Sequence, residues 1–124
     1  MAAPLVIFLH HSDWESRYQA TTLAVTAAAL GDSVHLALFF GALRAWVEDR
    51  FDEGAPPEAL VTRVAGLRIM IEEARRDLGL RVVACETAVR LAGMEAEGVS
   101  PALDGIVSLP SLWRLAQEGK GLAL

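Results

Sequence analysis

This chain is poor in cysteine, lysine and aromatic residues, and each scarcity excludes something. There is one cysteine, Cys85, among 124 residues. A lone cysteine cannot close an intrachain disulfide, which fits a reducing, cytoplasmic compartment. Lys120 is the only lysine, so the positive charge is carried almost wholly by arginines scattered along helical stretches. That bias reads as genomic base composition, given the abundant alanine. Sixteen acids against 11 bases give a net charge of −5, with no basic run. Direct nucleic-acid binding needs a clustered positive face and is not expected. No apolar run approaches the ~20 residues of a membrane span. The N-terminus lacks the basic segment and long apolar core of a secretory signal. No Gly-rich phosphate loop follows the first apolar run, where the sequence reads His10-His11-Ser12-Asp13. Nothing therefore points to a nucleotide or flavin, and no cofactor is expected.

What is present is apolar. Hydrophobic residues make up 53% of the chain. That is a high load for one small domain spanning residues 1–124, and it suggests apolar surface buried between subunits. Leu5 to Leu9 is a continuous apolar run and reads as a strand buried on both faces. Ser12 with Glu15 has the spacing of a capping box, opening a helix that Gly31 ends. Val34 to Phe40 reads as a second strand, and Leu43 to Arg50 as a short helix after Gly41. Phe51 to Pro57 is a turn-rich linker. Pro56 and Pro57 then open one long helix with Leu60, Val64, Leu67, Ile71, Ala74 and Leu78 on its apolar face, stopped by Gly79. Its other face, with Arg63, Arg68, Glu72, Glu73, Arg75 and Arg76, reads as solvated. Leu80 to Ala84 is a third strand. Met94 to Asp104 reads as a loop, and Gly105 to Val107 as a fourth strand. A helix from Pro110 to about Glu118 and a short strand from Gly121 to Leu124 complete the pattern. Strands alternating with helices predict an α/β fold: a small parallel, flavodoxin-like sheet of about five strands with helices on both faces.

In such sheets ligands gather at the carboxyl ends of the strands. The features on that rim are His10 and His11, Gly41, Cys85, and Ser108. Trp14, Trp46 and Trp113 each follow within two turns of a strand exit. Singly, each is expected to pack a helix onto the sheet; three on one edge suggest an interface between subunits. His10 and His11 are candidates for a base or for hydrogen bonds to the sulfur. As neighbours in an extended segment they should point to opposite sides, so only one should face a site. A zinc site from His10, His35 and Cys85 is disfavoured, because His35 lies early in the second strand, far from the rim.

Cys85 ends an apolar strand and opens a helical pattern from Glu86 to Leu91 that Gly93 closes. The field of a helix N-terminus favours thiolate; the competing reading is a cysteine that fills the core. The segment Val82-Val83-Ala84-Cys85-Glu86-Thr87-Ala88-Val89-Arg90-Leu91-Ala92-Gly93-Met94 resembles the DsrE/DsrF-like family, which includes the TusD sulfur-relay proteins. Ala88, Gly93 and Met94 fall on that family's small, glycine and apolar positions. The opening strand and helix, the Phe39-Phe40-Gly41 exit and the long helix before strand three are also similar. The resemblance implies a domain that assembles into trimers or hexamers, with Cys85 near a subunit boundary. It implies that Cys85 carries sulfur as a persulfide between donor and acceptor proteins, as in a sulfurtransferase.

The chemistry itself leaves alternatives open. Persulfide transfer needs an accessible thiolate and a partner cysteine, which must come from another protein. A peroxiredoxin-like thiol reductase would use the same thiolate and an external resolving thiol. An oligomeric binding or scaffolding protein could keep the fold with Cys85 inert. Glu86, directly after the cysteine, disfavours the thiolate unless its side chain turns away. The expected site is thus Cys85, with His10, His11, Gly41, Glu86 and Trp113 around it.

Overall fold

A computed structural model describes residues 2–124 apart from Arg63 and Ala65. Five strands form the frame: β1 (Pro4–Leu9), β2 (Ser33–Leu38), β3 (Arg81–Cys85), β4 (Gly105–Val107) and β5 (Lys120–Ala123). All neighbours pair in parallel, in the order β4-β3-β2-β1-β5. The chain thus steps outward from β1 to β4, then returns to add β5 on the far side of β1. The strand order reverses between β1 and β5, as in doubly wound, flavodoxin-like α/β folds.

Period-two alternation divides each strand between two layers. Leu5, Ile7, Leu9, Val34, Leu36, Leu38, Val82 and Ala84 form one core with α1 (Trp14–Ala29), α2 (Phe40–Val47), α4 (Leu67–Leu78) and α5 (Glu86–Leu91). The stripe Ala20, Ala24, Ala28 lets α1 approach this face closely. Val6, Ala37 and Val83 face the other way. Leu112 and Ala116 of α7 (Leu109–Gln117) cover them. Among the described residues the first face is covered by several helices and the second by α7 alone. The middle strands β1, β2 and β3 are buried on both faces, which is why they read as unbroken apolar runs.

Local signals were misleading in four places. The cap of α1 is Asp13, whose carboxylate accepts from the Ser16 amide at 3.0 Å and the Ser16 hydroxyl at 2.8 Å, so the Ser12–Glu15 box does not form. Strand β2 ends at Leu38, and α2 begins at Phe40 rather than Leu43. The long helix is two helices, α3 (Pro57–Val61) and α4. Asp52 accounts for the second start: its carboxylate accepts from the amides of Leu67 and Arg68, two of the free donors of the first turn of α4. Leu60 is consequently 80% exposed instead of lining the core, whereas Leu67, Ile71 and Ala74 are buried as expected. Arg63, assigned to the solvated face, lies outside the described residues. The stretch after Met94 contains α6 (Ala96–Val99) and a 3₁₀ turn at Ser100–Ala102.

The charged face of α4 is also more than solvated. The Arg68 guanidinium lies 3.6 Å from the centre of the Trp46 ring and donates to the Trp46 carbonyl at 2.9 Å. Arg75 grips both carboxylate oxygens of Asp104 at 3.0 and 2.9 Å. Asp104 in turn accepts from the Val82 amide at 2.7 Å, tying the start of β4 to β3. Burial opposes the Asp104 charge, yet Arg75 and the Val82 amide together hold its pKa below the usual 3.8.

Candidate functional site at the carboxyl rim

Cys85 is the last residue of β3 and the N-cap of α5, with φ −75 and ψ 131. Its backbone is thus still extended when the next residue turns helical. Strict alternation from Val83 would send Cys85 toward the α7 face, yet it packs in the core on the opposite face of the sheet, and it pairs with Val107 of β4. Glu86 starts the helix with its side chain exposed. Gly93, at φ 72, ends it in the left-handed conformation that favours glycine. The junction is as expected from the sequence. Access is not: Cys85 is 4% exposed and joins a core cluster with Ala88, Val89, Val99 and Leu103. The expectation of a partly accessible thiol fails for the isolated chain. The segment around α6, read as an open loop, contributes Val99 to that same cluster.

The neighbouring exits bring aromatic rings to this edge. The Phe39 amide donates to Leu9 at 2.9 Å, extending the β1–β2 ladder past Leu38. Phe39 follows Leu38 and Cys85 follows their register partner Ala84, so these two residues end adjacent strands. Phe8 and Phe39 have ring centres 6.2 Å apart, as do Phe39 and Phe40. Phe40 has φ 49, a left-handed conformation that is rare and costly for a bulky residue, and its side chain is 49% exposed. Such strain is typical of functional edges rather than of plain packing.

His10 and His11 both lie exposed after β1. Their ring centres are 4.0 Å apart, so the backbone has turned enough to set the rings side by side rather than on opposite sides. They sit two strand spacings from the end of β3, about 10 Å. Gly41 does not line an open site. It is the point where α2 meets the turn after β1, packed against Ser12. Trp113 is 60% exposed on α7 and shares a cavity with Phe8, Gly121 and Ala123, on the β5 side of the sheet. The expected site therefore separates. Cys85 and Glu86 stand at β3, the histidines and Gly41 at β1 and α2, and Trp113 toward β5.

The tryptophans do not share one exposed edge. Trp46 is 0% exposed, stacks edge-on to Phe51 and donates to the Ala102 carbonyl at 2.8 Å. It is a core residue. Trp14 is half-buried against Tyr18. Only Trp113 keeps the exposure an interface would use.

One organiser of the rim carries no sequence signal. Arg17, a buried arginine of α1, donates to the carbonyls of Ser12 (3.0 Å), Arg50 (2.9 Å), Phe51 and Glu53 (2.7 Å). It pins the turn after α2 to the exit of β1, and burial lowers its pKa. An arginine read as one scattered charge is thus a clamp.

Among the described residues no three of the His, Cys, Asp and Glu side chains are grouped to hold a metal ion, and none of their helices is long and apolar enough to cross a membrane. No family model matches the chain, and no curated protein matches it. A solved structure that resembles it is a protein of unknown function, MTH1491 from Methanobacterium thermoautotrophicum. The TM-score is 0.61 and the identity 15%, over 98% of each chain. At that identity the likeness establishes the fold and nothing of activity.

Proposed function

We propose that this chain is a DsrE/DsrF-like sulfur-relay protein that carries sulfur on Cys85. The observation that supports the reading is the placement of Cys85. It ends an interior strand of a parallel sheet, takes the N-cap position of the following helix, and lies on the strand next to β2, whose exit carries the strained, exposed Phe40. Carboxyl ends of such strands are where chemistry gathers. Gly93 in its left-handed conformation also suits the spacing on which the resemblance rests.

The step balances without an oxidant. The Cys85 thiolate attacks the terminal sulfur of a donor persulfide. A sulfur–sulfur bond forms at Cys85, the donor's own sulfur–sulfur bond breaks, and the donor leaves as thiolate. Repeating the exchange on an acceptor cysteine passes the sulfur on. Because the thiol is nearly enclosed, loading requires α5 or the edge above it to open when a partner docks. Exposed Phe40, Leu109 and Trp113 offer apolar area for that docking or for assembly into a trimer or hexamer. A reducing cytoplasmic setting would keep the thiol free.

The burial of Cys85 favours a second reading: an oligomeric binding or scaffolding protein in which the cysteine only packs. Thiol titration of the native chain separates the two. The relay reading predicts reaction of Cys85 well before global unfolding. Reaction only at the global unfolding rate supports the scaffold. Light scattering tests assembly, and a stable 13.3 kDa species would refute it.

A further inference from the structure

The face of the sheet beneath α7 holds a second polar feature, far from the rim. Parallel register pairs His35 of β2 with Arg81 of β3, so their side chains stand side by side on that face. Both line a cavity of about 140 Å³ whose other walls include Val83, Val107, Leu115 and Ser111. His35 Nδ1 is buried and has no hydrogen-bond partner among the described residues, so a ligand in the cavity reaches it only once the ring turns toward the opening. A buried ring nitrogen left unpaired is rare and calls for an explanation, a bound water or ion among them. Arg81 is similarly underused. Among the described residues its side chain makes one long hydrogen bond, 3.3 Å to the Asp104 carbonyl. The carboxylate of Asp104 is already committed to Arg75 and the Val82 amide.

We propose that this cavity is a binding site for a small tetrahedral oxyanion of the phosphate or sulfate type, held by Arg81, by His35 Nδ1–H after the ring turns toward it, and by the Ser111 hydroxyl, which accepts from the Ser108 hydroxyl 2.8 Å away and so keeps its own proton for the anion. Among the described residues the lining has donors but no acid, so it repels a cation and attracts an anion. Arg81 presents a fork of N–H groups suited to two oxygens of one anion. Ser111 lies in the first turn of α7, whose N-terminal dipole adds attraction of the same sign. The size of the cavity sets the class of ligand. A volume of 140 Å³ is well below the ~300 Å³ of pockets that take nucleotides or drug-sized molecules. Among the described residues Arg81 is the only other titratable group lining this cavity with His35. The neighbouring strands bring Val6 and Val107, and α7 brings Ser111 and two leucines. The site lies at the start of β3, four residues or about 13 Å from Cys85, and its occupancy does not depend on the relay reading.

The test is a titration of the full, isotopically labelled chain with inorganic phosphate at constant ionic strength, following the ring signals of His35 by NMR. The expected result is a saturable shift at His35 and at the Arg81 side chain. Arg81→Gln, a change at an exposed position that leaves the fold intact, should weaken the apparent affinity by about tenfold or more. A parallel titration with acetate distinguishes the anion class: a much weaker response is expected. A linear, unsaturable drift, a response confined to His10 and His11, equal affinity in Arg81→Gln, or equal saturation by acetate would each overturn the assignment.

Discussion

Gly41 and Ser12 touch so closely that the exits of β1 and β2 are interlocked. A methyl group on Gly41 would lie 2.5 Å from Ser12 Cβ and 2.8 Å from its hydroxyl oxygen. The first turn of α2 therefore rests directly on the chain leaving β1, and glycine there serves packing rather than turn conformation. Gly41→Ala should cost about 1–3 kcal/mol, the usual range for overpacking. Ser12→Gly in the same chain removes both clashing atoms and should restore part of the loss. Chemical denaturation of the two single variants and the double variant gives the coupling.

Asp52 caps α4 across 15 residues of sequence. Asp52→Ala should destabilise the protein by about 1 kcal/mol, in line with loss of an N-cap. Amide exchange at Leu67 and Arg68 should quicken more than exchange elsewhere in α4. Uniform protection in the variant would show that water replaces the carboxylate without loss.

Arg68 covers Trp46 at stacking distance. Arg68→Ala should cost about 1–2 kcal/mol, because the cation and its flat packing surface are both lost. Arg68→Lys should recover only part, since ammonium cannot stack as a plane. Thermal denaturation monitored by tryptophan fluorescence reads both effects.

Two groups make the folded state lose stability as pH falls, each in its own range. Asp104 has a lowered pKa, so its stabilising contribution is present above 3.8 and fades as pH falls through the folded value. Asp104→Asn should flatten that acid limb, and lower stability at neutral pH by about 1–2 kcal/mol after allowance for solvent screening. His35 also has a lowered pKa, first from burial and then from Arg81. The unfolded chain thus takes up the proton more readily than the folded one, and stability falls as pH drops below 6.5. His35→Asn should remove that slope. An unchanged slope would place its origin elsewhere.

The strand frame could be read from the sequence because β1, β2 and β3 are buried on both faces, so apolar runs such as Leu5–Leu9 and Val82–Ala84 report them directly. Gly79, with φ 71, and Gly93, with φ 72, marked their helix ends for the same local reason. The features that were missed depend on distant partners. Nothing near Leu67 in sequence shows that Asp52 will cap it. Nothing near Arg17 shows that four carbonyls will surround it. Phe40 looked like strand, because a left-handed phenylalanine has no local signature. The rim residues were correctly assigned to strand exits, but their grouping followed strand order: β5 joins β1, which carries Trp113 away from Cys85.

The relay account turns on whether Cys85 accepts sulfur in the folded protein. The direct measurement is the mass of the native chain after exposure to a persulfide donor, before and after reductant, beside Cys85→Ser. The account predicts the gain of one sulfur atom that reductant removes and that Cys85→Ser never shows. An unchanged mass while the chain stays folded, with loading only after denaturation, would contradict it.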